Sequence, residues 1–186
     1  MTLPLRVVKV GGSLLDRPPA MEQLPDWIQS ARATHRLLFI CGGGAPVDWL
    51  REQTARGKLD ETEAHWEAIR QMDYNADCLS SIFGLPEVEL ADSPVVEGAA
   101  VGIVDRFLNE VEPHLEGVRL PVGWQVTSDS IAARVASVYN AELVLLKSCP
   151  PPSEPSDHAS LAQQGYVDDF FPAASLGLRQ VLFETL

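Results

Sequence analysis

Apolar residues along this chain alternate between two patterns: short unbroken runs, and longer stretches where they recur every three or four positions. The runs at Arg6–Val10, Arg36–Ile40 and Glu142–Leu146 are β-rich and short, as buried strands are. Gln180–Phe183 reads as a last strand. Glu61–Phe83 carries the longest helical signal, with His65, Ile69, Met72, Ala76, Leu79 and Phe83 at alternating spacings of three and four. Gly84 and Pro86 stop it. Met21–Ala33 predicts a helix with Trp27 and Ile28 turned inward. Pro46 suits the first turn of another, where its missing N–H costs nothing. Glu87–Val104, broken by Pro94 and Gly98, predicts one or two short strands. Arg106–Leu115 predicts a short helix. Trp124–Val126 reads as a strand tip feeding a helix from Ser130, with Ile131, Val135 and Val138 on one face. Pro150–Ala159, with Pro150, Pro151, Pro152 and Pro155, is a loop and the one clear shift in composition. After Gly165–Phe171 a further helix begins near Ala173.

Strands alternating with helices predict an α/β fold: a three-layer αβα sandwich around a mainly parallel sheet, with residues 1–186 as one domain. Ligands on such sheets bind outside the carboxyl ends of the strands. The turns after Val10, after Ile40 and after Val126 are therefore expected on one edge.

A net charge of -12 over 186 residues disfavours nucleic acid and anionic lipid as partners, since both reward clustered Lys and Arg. A small anionic molecule remains compatible, because a few placed cations suffice to hold one. Cys41, Cys78 and Cys149 are sparse and form no CxxC pair, which fits free thiols. The four histidines are scattered and no metal-ligand spacing is visible. No targeting segment and no apolar run of membrane-spanning length stands out, so the default location is the cytoplasm.

Four segments carry candidate chemistry. In Val8-Lys9-Val10-Gly11-Gly12-Ser13 the paired glycines let backbone N–H groups approach phosphate oxygens, Ser13 adds a hydroxyl, and Lys9 brings an ammonium to the strand end. A strand-ending turn with a solvated lysine reads equally well from these six residues. In Cys41-Gly42-Gly43-Gly44-Ala45-Pro46 the three glycines suit either a ligand lying against bare backbone at a helix start or a flexible loop. In Thr127-Ser128-Asp129-Ser130 the hydroxyls suit a helix cap, and Asp129 suits the helix dipole or a role holding a lysine across the strand ends. In Leu145-Leu146-Lys147-Ser148, Lys147 ends a buried strand on the same edge. Asp168 and Asp169 read as part of a solvated turn. His65, on an apolar stripe, reads as a core or interface residue or as a substrate contact. The Ile69, Met72 and Leu79 stripe is packing, in the core or on a dimer face.

Taken together, VVKVGGSLL, FICGGGAP, VTSDSIAARVA and ELVLLKS resemble the amino acid kinase family in order and spacing, over roughly residues 5–148. Within it, His65-Trp66-Glu67-Ala68-Ile69 with Met72, and Thr127–Ser130, look most like the small archaeal-type branch that includes the methanofuran-pathway kinase acting on an aminomethylfuran-methyl phosphate. The resemblance implies an ATP-dependent kinase using Mg2+, with a small anionic acceptor and a homo-oligomeric state, dimer or higher. It implies that Lys9, Asp129 and Lys147 are catalytic and that Gly11, Gly12, Ser13, Lys147 and Ser148 hold the nucleotide phosphates. Gly42, Gly43, Gly44, His65, Thr127, Ser128 and Ser130 would face the substrate; no metal-ligating side chain is implied. Family members continue further past the equivalent of Lys147, with nucleotide-base loops and often a second catalytic lysine. Cys149–Leu186 contains no lysine, so this chain is expected to be shortened there. That leaves a second class open: a nucleotide- or anion-binding homologue without catalysis.

Overall fold

The computed structural model describes residues 2–186. Strands β1 (Leu5–Val10), β2 (Arg36–Cys41), β3 (Glu87–Glu89), β4 (Ala99–Ile103), β5 (Glu142–Lys147) and β6 (Val181–Thr185) form one sheet in the order β3-β4-β2-β1-β5-β6. Every neighbouring pair is parallel. The helices are α1 (Gly12–Leu15), α2 (Pro18–Arg32), α3 (Ala45–Ala55), α4 (Glu61–Phe83), α5 (Ser128–Val138), α6 (His158–Gln163) and α7 (Phe171–Ala174).

Because strand side chains alternate, each central strand feeds two cores. Val8, Val10, Leu37, Phe39, Val144 and Leu146 pack with Leu14, Leu24 and Ile28 of α1 and α2. Val7, Leu38, Ile40, Leu143 and Leu145 face Ile131 and Val135 of α5 and Phe171 of α7. The result is three layers, helices over each face of the sheet. Full burial of each such side chain contributes about 1.5–3 kcal/mol before chain entropy is set against it. Helix α4 serves both cores, Ile69 and Met72 on one side and Ala76 and Leu79 on the other. The apolar stripe of α4 is thus core rather than a dimer face. Asp60 caps the helix by accepting from Thr62 and Glu63 N–H, and Gly84 closes it in the left-handed conformation.

Several expectations shift. Trp124–Val126 is a turn and not a strand: Val126 N–H donates to the Gly123 carbonyl, and the segment reaches α5 from a long excursion instead of from the sheet. Helix α5 starts at Ser128, and α2 starts at Pro18, where consecutive prolines occupy its first turn. Residues 106–115 form a wide π turn, Phe107–Val111, followed by a 3-10 turn, Glu112–His114. Buried Glu112 explains the break: its carboxylate accepts from Arg134 Nε of α5 at 2.9 Å, tying the excursion to that helix. The proline-rich loop ends at His158, where Asp157 caps α6.

Strand β1 has β2, the next strand in the chain, on one side and β5, reached only after β4, on the other, so the carboxyl ends of these three strands frame a topological switch point. Here Asp73 of α4 accepts N–H bonds from Val104 and Asp105, just past β4. Burial, aided by the Asp105 charge, raises its carboxyl from an ordinary 3.8 to about 6 despite those bonds. The folded state therefore keeps a proton that the unfolded chain loses near 3.8, and stability falls as pH rises from about 4 to about 6. Asp73→Asn is expected to flatten that part of the pH dependence of thermal unfolding; an unchanged profile would count against it.

Candidate functional site

Alternation places the two lysines. Lys9 follows Val7, and Lys147 follows Leu143 and Leu145, so both side chains emerge on the α5 face at the carboxyl end of the sheet. Asp129, in the first turn of α5, lies between them. Its Oδ1 is 2.8 Å from Lys9 Nζ and its Oδ2 accepts from Lys147 Nζ at 2.7 Å. The first contact is ionic without hydrogen-bond alignment, and Oδ1 has no aligned donor. Lys147 Nζ also donates to the Tyr166 carbonyl at 2.6 Å and sits 5.0 Å from the centre of the Tyr166 ring.

These three groups set one another's charge. Burial alone would raise the Asp129 carboxyl, but the Lys9 and Lys147 ammonium charges outweigh it and hold it below the ordinary value. For Lys147, burial and the Lys9 charge lower the ammonium pKa, and Asp129 opposes them. The bridge itself thus carries two ammonium groups on one carboxylate, with the Asp168 carboxylate near enough to act on Lys147.

Beside this bridge the two glycine turns touch. A Cβ on Gly12 would lie 2.2 Å from Gly44 N, and one on Gly42 would lie 2.5 Å from Gly12 N. Only bare backbone fits so close. Gly44 also has φ +66°, which glycine adopts without penalty. Among the described residues, the N–H groups of Gly12, Ser13, Gly43 and Gly44 donate to no protein oxygen. The Ser13 and Ser148 hydroxyls are 3.2 Å apart across the β1 and β5 tips.

A cleft of about 370 Å³ opens over these turns, lined by Gly12, Ser13, Gly43, Gly44, Ser128 and Lys147 among others. Lys9 is off its wall: buried, with its ammonium behind Asp129. Ser130 is also off it, fully buried, its hydroxyl donating to Asp168. Thr127 reaches the cleft, but its hydroxyl is spent on the same carboxylate at 2.8 Å. His65 lies apart from the cleft, buried in α4. Its Nδ1 accepts from Gly123 N–H at 3.4 Å, and burial lowers its pKa.

Asp168, expected in a solvated turn, instead joins the support of the site. Its carboxylate accepts from Thr127 N–H at 2.9 Å and Ser130 N–H at 3.0 Å, capping α5 from 38 residues away. Burial and the Asp129 charge raise its pKa, while these donors oppose them. Asp169, by contrast, is exposed. Trp124, Arg51 and Tyr166 also line the cleft unforeseen, with the Arg51 guanidinium 4.9 Å above the Trp124 ring. No local pattern flags any of them; their partners are all distant in sequence.

A parallel sheet with a lysine–aspartate–lysine bridge and two bare glycine turns at its switch point defines an α/β protein that gathers ammonium groups and free backbone amides at that point. The chain belongs to the amino acid kinase family, whose profile matches residues 4–150. Solved structures of similar fold include UMP kinase from Ureaplasma parvum, with TM-score 0.66 and 12% identity over 99% of this chain and 90% of that one. Uridylate kinase from Archaeoglobus fulgidus has TM-score 0.61 and 17% identity over 92% of this chain and 85% of that one. Aspartate kinase from Synechocystis has TM-score 0.66 and 14% identity over 97% of this chain but 38% of its own. A search of curated protein sequences gave no match.

Loss of the remote cap is measurable. Asp168→Ala leaves two α5 amides and two hydroxyls without their acceptor, and is expected to cost about 1–2 kcal/mol in urea unfolding. No change in the unfolding midpoint would remove Asp168 from the support of α5.

Proposed function

We propose that this chain is a phosphotransferase that moves the γ-phosphoryl group of Mg-ATP to a phosphate or carboxylate oxygen of a small anionic metabolite. The observation that carries the reading is the buried bridge from Lys9 through Asp129 to Lys147 beside two glycine turns with free N–H groups. Free amides at Gly12 and Ser13, the Ser13 and Ser148 hydroxyls and the Lys147 ammonium suit the donor phosphates. Gly43 and Gly44 suit the acceptor, whereas Gly42 is buried with its N–H donating to the Val10 carbonyl and its carbonyl accepting from Asn75. Among the described residues no cluster of side chains is fit to hold a metal ion alone, so Mg2+ would enter on the phosphates and spread their charge.

In such a transfer the acceptor oxygen attacks the γ-phosphorus in line as the bond to the bridging oxygen breaks and ADP departs. The protein contributes position and charge. Asp129 keeps two ammonium groups aimed at one point, and they stabilise the oxygens of the transferring group. A finer reading makes the acceptor an aminomethylfuran-methyl phosphate-like compound, supported by the His65–Ile69 and Thr127–Ser130 segments. We also read the chain as a homo-oligomer joined through α3 and α4, where Trp49, Tyr74 and Ile82 are large and exposed. A monomer in sedimentation at micromolar concentration would overturn that association.

A second reading, nucleotide binding without transfer, is favoured by one observation: Lys147 Nζ is already held by Asp129 and the Tyr166 carbonyl. Calorimetry with ATP and ADP beside an acceptor screen separates the two, since tight nucleotide binding with no transfer supports only the second. For Lys9→Ala we expect kcat to fall at least about a hundredfold, as on loss of one charge-stabilising donor. Unchanged turnover would remove Lys9 from the mechanism.

A further inference from the structure

Packing alone demands two successive glycines in the second turn. A Cβ on Gly42 would lie 2.5 Å from Gly12 N, and one on Gly43 would lie 2.1 Å from Val47 Cγ2. The peptide between them therefore has glycine on both sides, and glycine rotates about its backbone bonds with little steric penalty. Turning that one peptide over exchanges the directions of its C=O and N–H while the chain around it stays in place. For an anion in the cleft the two orientations have opposite effects: an N–H attracts it and a carbonyl repels it.

Helix α4 removes the choice. Asn75 Nδ2 donates to the Gly42 carbonyl at 2.6 Å, and Asn75 Oδ1 accepts from Gln71 Nε2 at 3.0 Å. A carbonyl only accepts, so the relay runs in one sense, from Gln71 to Asn75 to Gly42. On the other side the Gly42 N–H donates to the Val10 carbonyl at 2.8 Å. In a planar trans peptide the N–H points opposite to the C=O, and the described residues contain no cis bond. A Gly42 carbonyl held toward α4 thus sends the Gly43 N–H away from it. Gly43 lines the cleft, and its N–H donates to no protein oxygen among the described residues. The relay stands on a fixed base, because Met72 and Ala76 of α4 are buried in the two cores.

Resting on the reading of the cleft as a phosphoryl-transfer site, we propose that Asn75, oriented by Gln71, is a positioning residue that locks the Gly42–Gly43 peptide with its N–H presented to the phosphoryl oxygens. Asn75 touches no reactant itself and acts through the Gly43 amide.

Amide NMR on the isotope-labelled full chain, titrated with inorganic phosphate in the presence of Mg-ADP, tests this. In the wild type the Gly12, Ser13 and Gly43 amide signals are all expected to move. Asn75→Leu keeps a similar volume without the donor. Its Gly43 response is expected to fall at least about threefold while Gly12 and Ser13 keep theirs, and phosphate affinity by calorimetry is expected to weaken about tenfold. Gln71→Ala leaves the donor but frees its orientation, so the same pattern is expected with a loss in affinity of about threefold. Should Asn75→Leu fail a thermal-unfolding check, Gln71→Ala decides. A Gly43 response alike in wild type and variants, or a Gly43 signal that stays still while Gly12 and Ser13 move, overturns the role of Asn75 and leaves the kinase reading standing. Silence of all three amides overturns the anion site itself, and the proposal with it.

Discussion

One carboxylate holds the site together. Asp129 is almost fully buried, and burial on its own would neutralise it. It remains an anion because two ammonium groups reach it from two neighbouring strands. The dependence is mutual, since Lys9 and Lys147 come from β1 and β5 onto the same face and would repel without it. Removing one partner from such a cluster leaves an uncompensated buried charge, a loss of roughly 3–5 kcal/mol. The bridge therefore fixes α5 against both strand tips while holding two ammonium groups beside the glycine turns. Stability and the clustering of ammonium groups here come from one arrangement.

The glycine turns illustrate how structural and functional demands overlap. Gly12 and Gly42 pack too closely against neighbouring backbone for any Cβ, and Gly44 is held at φ +66°, which favours glycine. That is sufficient reason for glycine without a ligand. The same contact leaves four amides pointing away from protein acceptors, and a fold rarely leaves such groups without an outside partner such as water or a ligand. A glycine-rich motif in a sequence thus records backbone contact first. Its relevance to phosphate follows only once the free donors and the nearby ammonium groups are located.

The sheet was legible where its pattern is local. Unbroken apolar runs gave β1, β2 and β5, and the three–four spacing gave α4, since burial on both faces or on one stripe writes itself into adjacent residues. The meeting of Lys9, Asp129 and Lys147 was legible too, because parallel strands bring their carboxyl ends to one edge. Trp124–Val126 misled, since apolar residues beside a helix start look alike in a strand tip and in a turn held by Glu61 and Gly123. Asp168 was unreadable for a different reason. A helix cap supplied from 38 residues downstream has no sequence signature, so the capping hydroxyls of Thr127 and Ser130 looked free when they are donors to that carboxylate.

The charge of the cleft bears on how a phosphate would enter. Asp48, Asp129, Asp168 and Asp169 line it together with Lys147 and Arg51, and Lys9 lies behind. Carboxylates outnumber the cations on the wall, in a chain already strongly acidic. A bare polyphosphate would meet repulsion everywhere except at the lysine bridge and the free amides. A phosphate chain carrying a divalent cation would meet far less, because the ion faces the carboxylates while the oxygens face the amides. On the phosphotransferase reading, the acidic wall and the lysine bridge would therefore act on orientation as well as on charge, with the metal-bearing side of the donor turned to relieve the carboxylates' repulsion and its oxygens toward the amides.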